Sequence, residues 1–198
     1  MGLFSSKKKA VETPKLVCLS GDAQSYKCIF LAAYRKLTID VEWDTSSAPG
    51  DKMPESLAGL NRFPCIEEGD FKACGSSAAL TYLNIKGRSP TIHPRKARVL
   101  AAQQYWIQVL TRELEPLLND IQKNQAPISE ILKVLDANLA DSNHIVGEFS
   151  LADIHWSATC RALEEQGHSA MLSVFDNIGK WLASIKSEIP QYDARAEK

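Results

Sequence analysis

The hydrophobic positions in the first part of the chain change period twice, which predicts a strand, a helix and a second strand. Residues 16–19 form a short apolar run before the loop residues 20–22, as expected for a buried strand. A helix with an apolar face over residues 29–33 follows, with Ser25 as its predicted N-cap, and residues 38–43 then alternate as a strand. Because such a unit has parallel strands and a right-handed crossover, the loop before the helix lies at the helix's positive end, where a site is expected.

The next segment has the pattern of a β-hairpin followed by a helix. Residues 62–66 and 71–74 are short strand-like runs on either side of the turn signal at residues 67–70. Gly75-Ser76-Ser77 then opens an alanine- and leucine-rich helix over residues 78–85. The first half of the chain is therefore predicted to be βαβ followed by ββα.

From residue 95 onward only helical spacing remains. Apolar stripes run over residues 99–121, 128–139 and 171–189, and Pro116 predicts a bend in the first of them. These stripes are interpreted as core. The chain is thus predicted to comprise a flexible leader (1–14), an α/β domain (15–86), a linker (87–94) and an all-helical domain (95–198).

The leader also fits a lipid-attachment pattern. Met1-Gly2 followed by Ser6 matches the short N-myristoylation signal, and Lys7, Lys8 and Lys9 would supply the electrostatic attraction that one acyl chain needs. A solvated basic leader explains the same residues. Membrane attachment through Gly2 and these lysines is therefore an alternative to the simpler prediction of a cytoplasmic protein.

Composition excludes several classes of protein. The 23 basic and 24 acidic residues nearly cancel, so the basic excess of a dedicated nucleic-acid binder is missing. The four histidines and five cysteines are scattered without metal-binding intervals, and we predict no metal site. A disulfide framework is not expected either. Cys65 and Cys74 fall on the two strands of the hairpin, and they would form a redox pair only if the turn register brings them opposite each other.

A capping motif precedes another predicted helix. The motif is Gly147-Glu148-Phe149-Ser150-Leu151-Ala152-Asp153. The Ser150 hydroxyl can accept a hydrogen bond from the amide of Asp153, while the Asp153 carboxylate accepts one from the amide of Ser150. This reciprocal arrangement stabilises a helix start, and we interpret Asp153 as a folding residue and not as a catalytic one.

Taken in order, these features resemble the cytosolic glutathione transferases. The resemblance rests on Phe63-Pro64-Cys65-Ile66 at a strand start, Ser76-Ser77-Ala78-Ala79 at a helix start, and Gly147-x-x-Ser150-x-Ala152-Asp153, and it extends from Lys15 to Tyr192. It implies a thioredoxin-like N-terminal α/β domain followed by an all-α helical-bundle domain. It also implies glutathione as substrate or ligand, without a metal, and a homodimer.

The resemblance further implies a set of glutathione contacts. Pro64 would be cis, and the backbone of Phe63 would pair with the cysteinyl backbone of glutathione. The hydroxyl of Ser76, with the first-turn amides around Ser77, would receive the γ-glutamyl carboxylate. We therefore predict Phe63, Pro64, Ser76 and Ser77 as the ligand-binding residues.

Two positions depart from the family pattern. The residue before the binding serine is usually Glu or Gln and contacts the glutathione amine, whereas this chain has Gly75. The residue that activates the glutathione thiol aligns at about Ala23, which has no donor group. Ser25 and Ser20 are the nearest candidates for a catalytic hydroxyl, with Tyr26 as a further donor, although the predicted N-cap role would explain Ser25 without catalysis.

Two functional hypotheses follow. The stretches at residues 24–33, 61–64 and 147–153 are similar to the transferase-like domain of the elongation factor one gamma subunit and of synthetase-complex scaffold proteins. That resemblance favours a weakly active or non-catalytic module that binds a protein partner through its helical faces. The alternative is a glutathione-dependent transferase or thiol reductase in which Ser25 or Ser20 stabilises the glutathione thiolate.

Overall fold

A computed structural model describes residues 12–44, 63–87, 92 and 94–193 of the chain. The lipid-attachment pattern at Gly2 to Lys9 lies outside these residues and stays a prediction. Within the described part of the chain, no helix is long and apolar enough to cross a membrane.

The N-terminal part is a four-stranded mixed sheet with the order β2-β1-β3-β4. Its strands are β1 (Lys15–Leu19), β2 (Asp40–Asp44), β3 (Cys65–Glu68) and β4 (Phe71–Cys74). As predicted, β1 and β2 are parallel, and β3 and β4 form an antiparallel hairpin. The third strand pairs antiparallel with β1. The fold class expected from the sequence, a thioredoxin-like α/β unit followed by helices, is confirmed.

Two helices complete this unit, α1 (Ala23–Tyr34) and α2 (Ser76–Lys86). They share one core with the sheet, in which Leu16, Cys18 and Ile66 are fully buried. Because side chains alternate across a strand, Cys65 and Cys74, next to the core-facing Ile66 and Ala73, lie on the opposite face.

The helical part begins with α3 (Ala97–Gln108), which continues into a π-helical turn (Val109–Leu114) and a 3₁₀ helix (Glu115–Asp120). The bend predicted around Pro116 is thus present as a change of helix type, because proline at the start of the 3₁₀ helix removes an amide donor. The remaining helices are α4 (Gln125–Asn138), α5 (Leu151–Glu165), α6 (Ser169–Ser173) and α7 (Asp176–Glu188). The last apolar stripe is therefore two helices, separated where Phe175 adopts an extended conformation.

Helix α5 connects the two parts of the molecule. Its start has the predicted capping box between Ser150 and Asp153. Asp153 is fully buried, and its carboxylate also accepts from the Ile145 amide and the Trp181 indole, both at 3.0 Å. The carboxylate therefore joins the loop before α5 to α7, which agrees with a folding role. Helix α5 packs along α1, and this contact sets the position of the α1 start.

Candidate functional site

A cleft lies where the start of α1 faces the helical part of the chain. It has a volume of about 280 Å³. Asp22, Ala23 and Gln24 line one wall, and Glu115 and Gln166 contribute to the other. This cleft, called the α1 cleft below, is at the place that the βαβ pattern predicted for a site.

Ser25, the first predicted catalytic residue, lies inside the protein and does not line the α1 cleft. It is fully buried. Its hydroxyl donates to a carboxylate oxygen of Asp22 at 2.7 Å and accepts from the Leu19 amide at 3.0 Å. The Ser25 hydroxyl therefore already donates one hydrogen bond and accepts another within the fold.

The predicted N-cap role of Ser25 is wrong. The helix begins three residues earlier, and Asp22 is its N-cap, accepting from the amides of Gln24 and Ser25. The physical reason is that a carboxylate has two acceptor oxygens and carries a charge that favours the positive end of a helix. Asp22 can therefore bind both first-turn amides and the Ser25 hydroxyl at once.

The second predicted catalytic residue, Ser20, and the further donor Tyr26 both donate to Glu165 at the end of α5. Ser20 Oγ lies 2.8 Å from Oε1, and the Tyr26 hydroxyl binds Oε2. Arg161 lies over the Tyr26 ring, 5.1 Å from its centroid. Burial and the Glu165 carboxylate raise the pKa of the Tyr26 phenol. Burial acts to raise the pKa of Glu165, but the hydrogen bonds from Tyr26 and Ser20 hold it below its ordinary value.

Ala23, where the family's activating residue was expected, is the first residue of α1 and lines the α1 cleft. Its methyl group can donate no hydrogen bond. Burial, together with the adjacent Asp22 carboxylate, raises the pKa of the Cys18 thiol. A thiol placed at this helix start would meet the same negative charge, which opposes its ionisation.

The predicted glutathione-binding residues meet at the other end of the site. The Phe63–Pro64 peptide is cis, as the resemblance implied. The Gly75 amide donates to the Pro64 carbonyl at 2.8 Å, so the hairpin places Phe63 and Pro64 next to the start of α2. Ser76 is half-buried there, whereas Ser77 is exposed. The start of α2 has no side-chain cap, since Gly75 is its N-cap.

A disulfide joins Cys65, which follows Pro64, to Cys74, which precedes Gly75. The sequence left this single pairing open, dependent on the turn register, and the register does bring the two cysteines together. The two-residue turn at Gly69-Asp70 sets Cys65 opposite Cys74 with their Cα atoms 4.0 Å apart. Cys28 is fully buried in α1.

Sequence reasoning missed a polar cluster between the two helix starts. Ser76 Oγ donates to Gln24 Oε1 at 2.8 Å, and Lys27 Nζ donates to the same oxygen at 3.1 Å. Lys27 Nζ also lies 2.7 Å from Glu115 Oε1 on the 3₁₀ helix. The Lys27 side chain is only 1% exposed. Burial, together with the Lys27 charge, lowers the pKa of His155 on α5 to about 3, so that imidazole is neutral.

The one indirect signal for this cluster becomes available once the burial of α1 is known. Helix α1 is buried on every side from Ser25 to Ala32, so a lysine within it needs an anionic partner. The identity of that partner, Glu115, depends on the docking of the helical part and could not be inferred from spacing.

A larger cavity lies elsewhere in the described part of the chain. It has a volume of about 810 Å³ and is lined by apolar residues of α1, residues 36–41 and the segment after α7. It contains none of the predicted site residues. Among the described residues, no group of three or more His, Cys, Asp or Glu side chains is placed to hold a metal ion.

Comparison with known proteins identifies the fold. No family model matches the chain. Glutathione S-transferase F14 of Arabidopsis thaliana is 21% identical over an alignment of 196 residues, which covers 86% of this chain and 73% of that protein. Glutathione transferase F7 from Populus trichocarpa is 18% identical with a TM-score of 0.72, covering 91% of this chain and 98% of that one.

A glutathione S-transferase-I structure with bound lactoylglutathione is 17% identical with a TM-score of 0.75, covering 92% of this chain and 99% of that one. These relatives are transferases. The nearer resemblance to the elongation factor gamma subunit therefore stays a prediction. At these identities the structural likeness concerns the fold, and the chain accordingly has the two-part fold of the cytosolic glutathione transferases.

Proposed function

We propose that this protein binds glutathione at the start of α2 but does not activate the glutathione thiol, and that it acts as a binding or scaffold module. The main support for the proposal is that all three candidate hydroxyls already donate hydrogen bonds to carboxylates of the protein. Ser25 donates to Asp22, and Ser20 and Tyr26 donate to Glu165.

The binding half of the proposal is supported by the elements that the family uses for its ligand. Phe63, joined to Pro64 by a cis peptide bond, lies just before the start of β3, where an extended peptide can pair with its backbone. Ser76 presents a hydroxyl at a helix start without a side-chain cap, which suits a carboxylate. A structural neighbour with the same fold holds lactoylglutathione, a glutathione derivative.

The electrostatics at the start of α1 argue against activation of the glutathione thiol. A transferase lowers the thiol pKa from its ordinary value near 8.5 by means of a donor group and the positive end of a helix. In this chain the Asp22 carboxylate occupies the α1 start and accepts its free amides. The charge that would stabilise a thiolate is therefore already neutralised by the cap.

The experiment measures binding and chemistry on the same preparation. We expect isothermal titration calorimetry to detect glutathione, and we expect conjugation of glutathione to 1-chloro-2,4-dinitrobenzene to stay near the uncatalysed rate. Conjugation at the rate of an active transferase would overturn the proposal, and so would the absence of glutathione binding.

The alternative function, a transferase or thiol reductase, makes a different prediction for Ser25 and Ser20. If either hydroxyl stabilised a thiolate, Ser25→Ala or Ser20→Ala would lower turnover by about 100-fold or more. Under our proposal, neither substitution changes the low rate. A partner recovered on the full chain from cell extract, and absent with an unrelated bait, would support the scaffold role.

A further inference from the structure

The polar cluster between α1 and α2 has one feature that the fold alone does not require. A single neutral oxygen, Gln24 Oε1, accepts from both the Ser76 hydroxyl and the Lys27 ammonium. An ammonium and a hydroxyl that converge within about 3 Å of one point are the donors that a carboxylate binds best, because charge-assisted hydrogen bonds are stronger than neutral ones. The Gln24 amide occupies that point in the described structure.

The other half of the cluster is anionic. Glu115 Oε1 accepts from Lys27 at 2.7 Å and from Gln24 Nε2 at 3.3 Å. Glu115 belongs to the helical part and lines the α1 cleft, with its side chain 24% exposed. A carboxylate in this position can accept a hydrogen bond from a ligand ammonium. Gly75 cannot make this contact, because it has no side chain.

We propose that Lys27 and Glu115 are specificity residues that recognise the two charged groups of the γ-glutamyl α-carbon. The ligand carboxylate replaces Gln24 Oε1 as the acceptor for Ser76 and Lys27, and the ligand ammonium donates to Glu115. Charges then alternate along the cluster and cancel, so a zwitterionic head group enters without leaving a buried charge unpaired. This inference rests on the proposed glutathione binding and names the residues that replace the missing family contact.

The test uses two tripeptides that each lack one charge. In 4-aminobutyryl-cysteinyl-glycine the γ-glutamyl carboxylate is absent, and in glutaryl-cysteinyl-glycine the ammonium is absent. Affinities of the full chain for glutathione and for both analogues are measured by calorimetry with wild type, Lys27→Met and Glu115→Gln. Lys133→Met, which removes a lysine paired with Glu130 on the exposed surface of α4, is the matched control.

We expect Lys27→Met to weaken glutathione binding about tenfold or more and to leave the affinity for the 4-aminobutyryl analogue within about twofold. Glu115→Gln should weaken glutathione binding about fivefold and leave the glutaryl analogue unaffected. Lys133→Met should change none of the affinities. Since Lys27 is buried, the thermal midpoint of each variant is recorded. Glu115→Gln, at a partly exposed position, tests the assignment independently if Lys27→Met does not fold.

The outcomes separate the two proposals. Equal losses for glutathione and both analogues in the variants, or no loss at all, would overturn the assignment of Lys27 and Glu115 while glutathione binding by the wild type stands. A wild-type protein that does not bind glutathione would overturn the proposed function and this inference together. Selective losses, each absent for the analogue that lacks the matching charge, would support the assignment.

Discussion

The two helix starts at the site differ in the charge they present. At the start of α2, the cap is Gly75, and Ser76 and the neighbouring Lys27 offer hydrogen-bond donors. At the start of α1, the Asp22 carboxylate caps the helix, and the nearby hydroxyls donate to carboxylates of Asp22 or Glu165. One start is suited to receive an anion and the other disfavours one.

Under the proposed function, this difference assigns glutathione binding and thiol activation to different helix starts. In that proposal, glutathione is held by the start of α2 and the Phe63–Pro64 segment, whereas ionisation of its thiol would depend on the start of α1. A chain can therefore keep the first and lose the second through substitutions confined to one loop, since Asp22 and Ala23 are adjacent in sequence.

The largest expected effect comes from making the α1 start resemble the α2 start. The double variant Asp22→Asn/Ala23→Ser removes the carboxylate charge, keeps a good N-cap and adds a hydroxyl that faces the α1 cleft. We expect the rate of glutathione conjugation to 1-chloro-2,4-dinitrobenzene to rise about 100-fold, the usual worth of one well-placed donor. Ala23→Ser alone should give less, because Asp22 competes for the new hydroxyl.

The control for this gain is Ala170→Ser, which places the same hydroxyl at an exposed position on α6. A wild-type rate already equal to that of the double variant would contradict the comparison.

The next largest effect concerns the hairpin that connects Pro64 to Gly75. Because the disulfide closes a loop of 9 residues, its loss should lower the free energy of unfolding by about 2 kcal/mol. Urea denaturation of wild type with and without dithiothreitol measures this. With or without dithiothreitol, Cys74→Ser should unfold at the urea concentration at which the reduced wild type unfolds. A reductant effect of equal size on Cys74→Ser would mean that another group is responsible.

At the α2 start, Ser76→Ala should weaken glutathione binding about tenfold, which corresponds to about 1.4 kcal/mol for a hydrogen bond to a charged group. Ser77→Ala is the matched control, because alanine keeps the first-turn amide through which Ser77 was predicted to bind, and loss of its exposed hydroxyl should change the affinity by less than about twofold. Calorimetry measures both. If the two variants lose affinity equally, the ligand carboxylate does not depend on the Ser76 hydroxyl.

The smallest effect is the pH dependence of the contact between α1 and α5. Since the pKa of Glu165 is lowered in the folded protein, its stabilising effect is present at neutral pH and is lost as the pH falls through that folded pKa. Glu165→Gln should therefore lower stability by less than about 1 kcal/mol near pH 7, because the group is partly exposed to solvent. The difference from wild type should shrink as the pH falls through the folded pKa of Glu165.

Thermal midpoints measured from about pH 7 to about pH 3 test this dependence. Glu130→Gln, at an exposed ion pair on α4, serves for comparison. A stability difference that persists unchanged at acid pH would show that the Glu165 charge is not its source.

Much of the fold follows from local pattern. The alternation and apolar runs predicted the parallel β1 and β2, the hairpin and α2, because each signal lies within a few residues of the element it forms. The capping box at Ser150 and Asp153 was predicted for the same reason. The N-cap of α1 was not, because Asp22 and Ser25 are both good caps and the choice depends on which one can serve several donors at once.

The candidate site was predicted only in part. Phe63, Pro64 and Ser76 come together as the resemblance implied, and Ala23 lies at the mouth of α1. The partners of the predicted hydroxyls were missed, because Glu165 is 145 residues from Ser20 and 139 from Tyr26. No spacing rule connects positions so far apart, and neither Lys27 nor Glu115 carries a motif.

By itself, the sequence determined the succession of strands and helices along the chain and the capping box of α5, since these follow from hydrophobic period and from capping chemistry over a few residues. Only the tertiary structure decided which charges meet at the α1 cleft. The packing of α5 and the 3₁₀ helix against α1 brings Glu165 and Glu115 to Tyr26 and Lys27. A carboxylate acts on a thiol, an amine or a hydroxyl through distance and burial, and those two quantities exist only once the chain has folded.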